Sequence, residues 1–290
     1  MKKVAAAKDP RAGIKAARLI RDEKLAGRSP RQAGADKANL ALLWVYKWGW
    51  SSPSILDIIS NSARRGLAAR LVKNGLLMST RTASGGAVKG VPAFILTLTD
   101  TGLAEVERNL EDGFMQYEQN PWKAVPQDIL RHDHLTQMAT AASFIDKKIK
   151  DFQTPKQMAE KSADGIKQPD SVWILPNGEK MGIEVELTQK HDRQLDQFIR
   201  GCVIALSTKD GQAPRFDLIS IISDSKGVMK NYKGYFSAGA KYSIWGKDSR
   251  GYWVKKSTAE VPEAVSEKIV WQFMDDKKKK EEQKKEAEEV

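Results

Sequence analysis

Three carboxylates gather around one short turn: Asp170, Glu184 and Glu186, within KQPDSVWILPNGEKMGIEVELTQK at residues 167–190. Two apolar runs flank Asn177-Gly178, a dipeptide suited to the tight turn of a β-hairpin. Side chains alternate along a strand, so Glu184 and Glu186 emerge on one face, with Ile183, Val185 and Leu187 on the other. Carboxylates crowded at a sheet edge repel unless a cation balances them. Hard oxygen ligands in this number select Mg2+ or Mn2+. Such an ion activates water and neutralises the charge that builds during phosphodiester cleavage. Asp170 and Glu184 are therefore expected metal ligands, with Glu186 a third ligand or a residue that helps position the attacking water. Register constrains this expectation. A two-residue turn at Asn177-Gly178 pairs Asp170 with Val185 and sends it to the wrong face. Convergence requires a three-residue loop, a bulge, or an Asp170 beyond the regular ladder.

The surrounding pattern supplies a framework for that hairpin. A helix, DILRHDHLTQMATAASFIDKKIK, with Asp128 as its expected cap, precedes it. A second helix, KHDRQLDQFIRGCVIAL, follows, and then a continuous apolar run, RFDLISIISD, suited to the interior of a sheet. A further hairpin is expected around Asp248 to Gly251. The order helix, strand, strand, helix, strand describes an α/β layer on a mixed sheet.

The chain's charge lies elsewhere. Residues 1–100 hold 18 Lys and Arg against 6 Asp and Glu, whereas residues 101–290 hold 30 against 31, so the net +11 belongs to the N-terminal third. That asymmetry suggests a polyanion partner, nucleic acid being the common one. Residues 1–35 form a basic arm, helical from Asp9-Pro10 when bound or else disordered. From Asp36 the apolar spacing predicts three helices: one ending at Gly49, one from Pro53, and one capped by Ser62 and stopped at Asn74-Gly75. Two strands around a Gly-rich tip and a helix from Asp100 complete a winged helix-turn-helix over 36–111. Arg64, Arg65, Arg70 and Lys73 fall on or beside its third helix, and Arg81 and Lys89 on the wing. Recognition helices meet base edges while other basic groups hold phosphates, so these six are the expected DNA contacts. A linker is expected at 112–127, an α/β domain at 128–274, and a charged tail at 275–290.

Pro169-Asp170 followed by Glu184-Val185-Glu186, between a helix and a helix-strand unit, resembles the PD-(D/E)xK restriction-endonuclease-like fold. Glu186 stands where that family usually places lysine, and Lys190 is the candidate for the displaced lysine's role. With LRHDHLTQMA before the core and a winged helix before that, residues 40–225 resemble MobC-type plasmid mobilisation relaxases, relatives of the replication-relaxation proteins. The resemblance implies metal-dependent, site- and strand-specific nicking of plasmid DNA, duplex and single-stranded, at an origin of transfer. It also implies a coupling protein and type IV secretion machinery as partners, and a histidine at this helix, so His132 is a candidate to reach the site. The competing expectation is a non-catalytic DNA-binding accessory of replication or mobilisation with a degenerate nuclease domain.

Remaining features point to packing. His132-Asp133-His134 resembles the metal motif of tyrosine-dependent relaxases, but on a helix positions i and i+2 diverge by about 200°. Cys202 in an apolar helix is expected in the core, as are Trp44 and Trp48; Trp245 and Trp253 are expected to pack, with stacking on single-stranded bases the alternative. One cysteine excludes an internal disulfide framework. No apolar run resembles a signal peptide or a membrane span, so a cytoplasmic location is expected.

Overall fold

The computed structural model describes residues 25–61, 66–111, 113–118, 120–159, 168–208 and 211–274. Helix α1 (Pro30–Trp48) starts six residues before the expected Asp36, because Ser29 and Gln32 form a reciprocal capping box with Pro30 between them. The last residues of the expected basic arm, 30–35, are thus helix. Helix α2 (Pro53–Ser60) is capped by Ser52, and α3 (Leu67–Lys73) begins after Gly66, whose φ of 113° is a conformation that only glycine adopts without strain. The expected cap Ser62 lies outside the described residues, as do Arg64 and Arg65. Strands β1 (Leu77–Arg81) and β2 (Phe94–Leu98) pair antiparallel, and α4 (Asp100–Arg108) follows. Three helices, a hairpin and a helix therefore follow the expected order.

The segment expected to be a linker is packed instead. Tyr46 Oη donates to Met115 O (2.9 Å) and accepts from Met115 N (2.7 Å), while Tyr117 Oη donates to Gly49 O (2.9 Å). A single turn, α5 (Pro121–Ala124), leads to α6 (Leu130–Ile145). Ile129, not Asp128, stands at the α6 N-cap, and no side chain caps it.

A five-stranded mixed sheet forms the centre of the α+β structure. It contains β3 (Asp151–Gln153), β4 (Ser171–Ile174), β5 (Lys180–Val185), β6 (Leu218–Ser223) and β9 (Ile269–Phe273), in that spatial order. β3, β4 and β5 form an antiparallel meander; β6 and β9 run parallel to β5. One turn of helix, α7 (Pro155–Ala159), follows β3, and α8 (Asp192–Leu206) joins β5 to β6. After β6 come α9 (Lys226–Tyr235), the separate hairpin β7 (Lys241–Lys247) and β8 (Trp253–Glu260), and the turn α10 (Glu263–Ser266).

Two apolar layers sandwich the sheet. Phe152, Trp173, Met181, Ile183 and Val185 share a core with α1 and α6, while Val172, Ile219 and Ile221 pack with Phe198, Cys202 and Tyr232 of α8 and α9. The first core runs without a break from the N-terminal helices into the sheet. Among the described residues, no helix is long and apolar enough to cross a membrane.

Candidate functional site

The hairpin resolves its own register. Leu175 N donates to Glu179 O and Gly178 N to Leu175 O, both at 2.9 Å, closing a three-residue loop, Pro176-Asn177-Gly178, with Gly178 at φ 91°. The loop pairs Ser171 with Ile183 and Ile174 with Lys180, so Asp170 stands at the level of Glu184. Asp170 lies just outside the ladder. Its amide donates to Ile183 O (2.8 Å). Strict alternation stops there, and its side chain turns toward α6.

Asp170 Oδ2 accepts from Val185 N (2.7 Å) and lies 3.1 Å from His132 Nε2. His132 Nδ1 is 3.0 Å from Asp133 Oδ1, so the imidazole bridges two carboxylates. Burial lowers its pKa, and the hydrogen bonds and charges of Asp133 and Asp170 outweigh that, lifting it to about 10. His134 points elsewhere: Nδ1 donates to Gly90 O (3.1 Å) and Nε2 meets Ser52 Oγ (2.9 Å), tying α6 to the β1–β2 loop and α2. The helix thus separates the two histidines, as its geometry requires.

Glu184 and Glu186 are buried at the carboxyl ends of the parallel strands β5 and β6, 6% and 4% exposed. Glu186 is held by a salt bridge to Lys190 Nζ and by Tyr232 Oη, which donates at 3.1 Å. Burial, then the charge of Glu186, push the Tyr232 phenol well above its ordinary pKa, so it stays protonated as a donor. Lys190 Nζ also lies 4.6 Å from the Phe198 ring centroid. The expected gathering of three carboxylates is not formed: among the described residues no group of three or more His, Cys, Asp or Glu side chains is close enough to share an ion. Asp170 pairs with His132, and Lys190 with Tyr232 holds Glu186.

The donor chemistry fits a hard divalent ion on two carboxylates. Mg2+ typically takes one or two from protein and completes its shell with water and phosphate oxygens. Asp170, just beyond the ladder, stands level with Glu184, and these two would be the pair to hold such an ion; Glu186 pairs with Lys190 instead.

Of the expected DNA contacts, Arg70 and Lys73 lie exposed on α3, Arg81 at the end of β1 and Lys89 exposed in the β1–β2 loop. Trp245 packs, its Nε1 donating to Asp196 Oδ2 (2.7 Å), while Trp253 is 42% exposed under Arg193. Two partners escaped the sequence. Tyr232 sits 46 residues beyond Glu186 with no local signal. Asp133 was in view, but only the fold turns it onto His132. Beside this cluster lies a cavity of about 330 Å3 whose wall includes Asp170, His132, Trp48 and Trp50.

Comparison with family models, with curated proteins and with solved structures gave no match for this chain.

Proposed function

We propose that the chain is a DNA-binding endonuclease of plasmid mobilisation, nicking one strand at an origin of transfer with a divalent metal ion. The observation that carries this reading is the hairpin register, which sets Asp170 level with Glu184 while Glu186 holds Lys190 at the same sheet edge. Support also comes from topology. A helix, a three-stranded antiparallel meander, a crossing helix and a parallel strand is the order of a restriction-endonuclease-like core, and three helices with a hairpin before it suit a winged helix. The exposed Arg70, Lys73, Arg81 and Lys89 then face the duplex.

Mg2+ or Mn2+, held by Asp170 and Glu184, would supply Lewis-acid neutralisation and an activated water. The chain's own residues do the rest. Lys190, positioned by Glu186 and Tyr232, brings a cation to the scissile phosphate. His132 orients Asp170 and carries positive charge beside it. Burial of Glu184 and Glu186 strengthens each of these electrostatic contacts.

A single assay tests the reading: conversion of supercoiled plasmid carrying the cognate origin to open circle, with Mg2+ or Mn2+ and with chelator. Asp170→Ala and Glu184→Ala are each expected to lower nicking at least about a hundredfold, leaving duplex affinity within about twofold. Wild-type nicking by both variants would remove the site. The second reading, a DNA-binding accessory without catalysis, draws on the cations already paired with Asp170 and Glu186. It requires an intact plasmid under every divalent ion.

A further inference from the structure

The cavity beside Asp170 has a composition that nicking alone does not need. Trp48, Trp50 and Tyr117 give it aromatic walls, and Ile129, 42% exposed, stands at its rim. Its volume of about 330 Å3 is at the small end of ligand pockets. The walls are rigid: Tyr117 Oη accepts from Leu98 N (3.0 Å) while donating to Gly49 O, and the Trp48 ring lies 6.1 Å from that of Phe152. Lys156 Nζ lies 4.8 Å from the Tyr117 ring centroid, bringing positive charge to one side.

From these observations the geometry points to a base-binding pocket: the cavity takes one unpaired nucleobase of the DNA strand, beside the phosphate that Asp170 and Glu184 serve. This assignment rests on the nuclease reading for its ligand and adds a recognition step to it. Aromatic faces stack on any base. Asp133, whose Oδ1 meets His132, is also in the lining, and its carboxylate accepts from an exocyclic amine. An enzyme so built holds the strand unstacked at the cleavage point and discriminates bases there without a groove contact.

The test uses the full chain in chelator, so that it is blind to cleavage, and at raised salt, which weakens phosphate contacts. The probe is a single-stranded oligothymidylate carrying one central 2-aminopurine. Binding is expected to quench the probe, and Ile129→Trp, which fills the cavity from its exposed rim, to weaken binding about tenfold. An abasic spacer at the probe position should cause a loss of the same order in the wild-type protein. Undiminished affinity for the abasic strand overturns the pocket, as does wild-type affinity in a folded Ile129→Trp protein. A chain that captures the base yet never nicks overturns the nuclease reading alone.

Discussion

At the scale of single residues, the site is a set of buried charges that survive by pairing. A buried carboxylate without a partner costs several kcal/mol, so Glu186 depends on Lys190 and Tyr232. His132 shows the consequence for pH. Its pKa is lifted from 6.5 to about 10, so the imidazolium's bonds to Asp133 and Asp170 contribute stability fully present below about pH 6.5. That contribution is lost as pH rises through about 10. Urea midpoints of the wild-type protein and His132→Gln should therefore differ most at about pH 6 and converge by about pH 10. A gap that widens with pH would mean that His132 is neutral in the folded state.

At the scale of elements, close packing decides more than propensity. A Cβ at Gly102 in α4 would lie 2.0 Å from Leu76 O, a backbone atom that cannot step aside. Gly102→Ala is expected to destabilise by about 3 kcal/mol in denaturant unfolding. Gly234→Ala in α9 meets open space and should be neutral, or stabilising by up to about 1 kcal/mol. Equal effects would mean that helix propensity alone sets both. On α3, Arg70→Ala should lower the salt dependence of duplex binding by about one unit of slope if Arg70 contacts phosphate. An unchanged slope and affinity would take that residue out of the interface. These elements also show what the sequence made legible. The hairpins around Asn177-Gly178 and Asp248–Gly251 were plain from turn chemistry, and β6 from its unbroken apolar run. β3 and β9 were not foreseen, since Asp151-Phe152-Gln153 is too short for a pattern and Ile269–Phe273 has no turn signal before it. The start of α1 was readable in Ser29-Pro30-Arg31-Gln32, but its polar first turns hid it. The backbone bond from Asp170 to Ile183, just beyond the ladder, and the turn of its carboxylate onto His132 are features that alternation cannot foretell.

At the scale of the molecule, the N-terminal helices and the sheet act as one body. Gln137 of α6 is the clearest tie, fully buried, accepting from Trp44 Nε1 (3.1 Å) and donating to Trp50 O (3.1 Å). His134 adds the contacts to Ser52 and Gly90, and Arg131 of α6 reaches Asp224 beyond β6 (2.5 Å). A continuous core crossed by such bonds has no plane along which one half can melt alone, so unfolding should be a single transition. Gln137→Leu tests this directly. It keeps apolar volume but strands a buried N–H and a buried carbonyl, each costing about 1–3 kcal/mol. Near-ultraviolet circular dichroism, which follows the tryptophans, and duplex binding should both shift to lower denaturant together, by the same amount. If duplex binding were lost at one midpoint and the sheet's signal at another, the two halves would be separate folding units. The cavity between them would then open and close with their motion, and a base held there would report that motion. A shared midpoint instead makes the distance from α3 to the acidic hairpin a fixed property of the fold, so that under the proposed nuclease reading the duplex position recognised by one would set where the other acts.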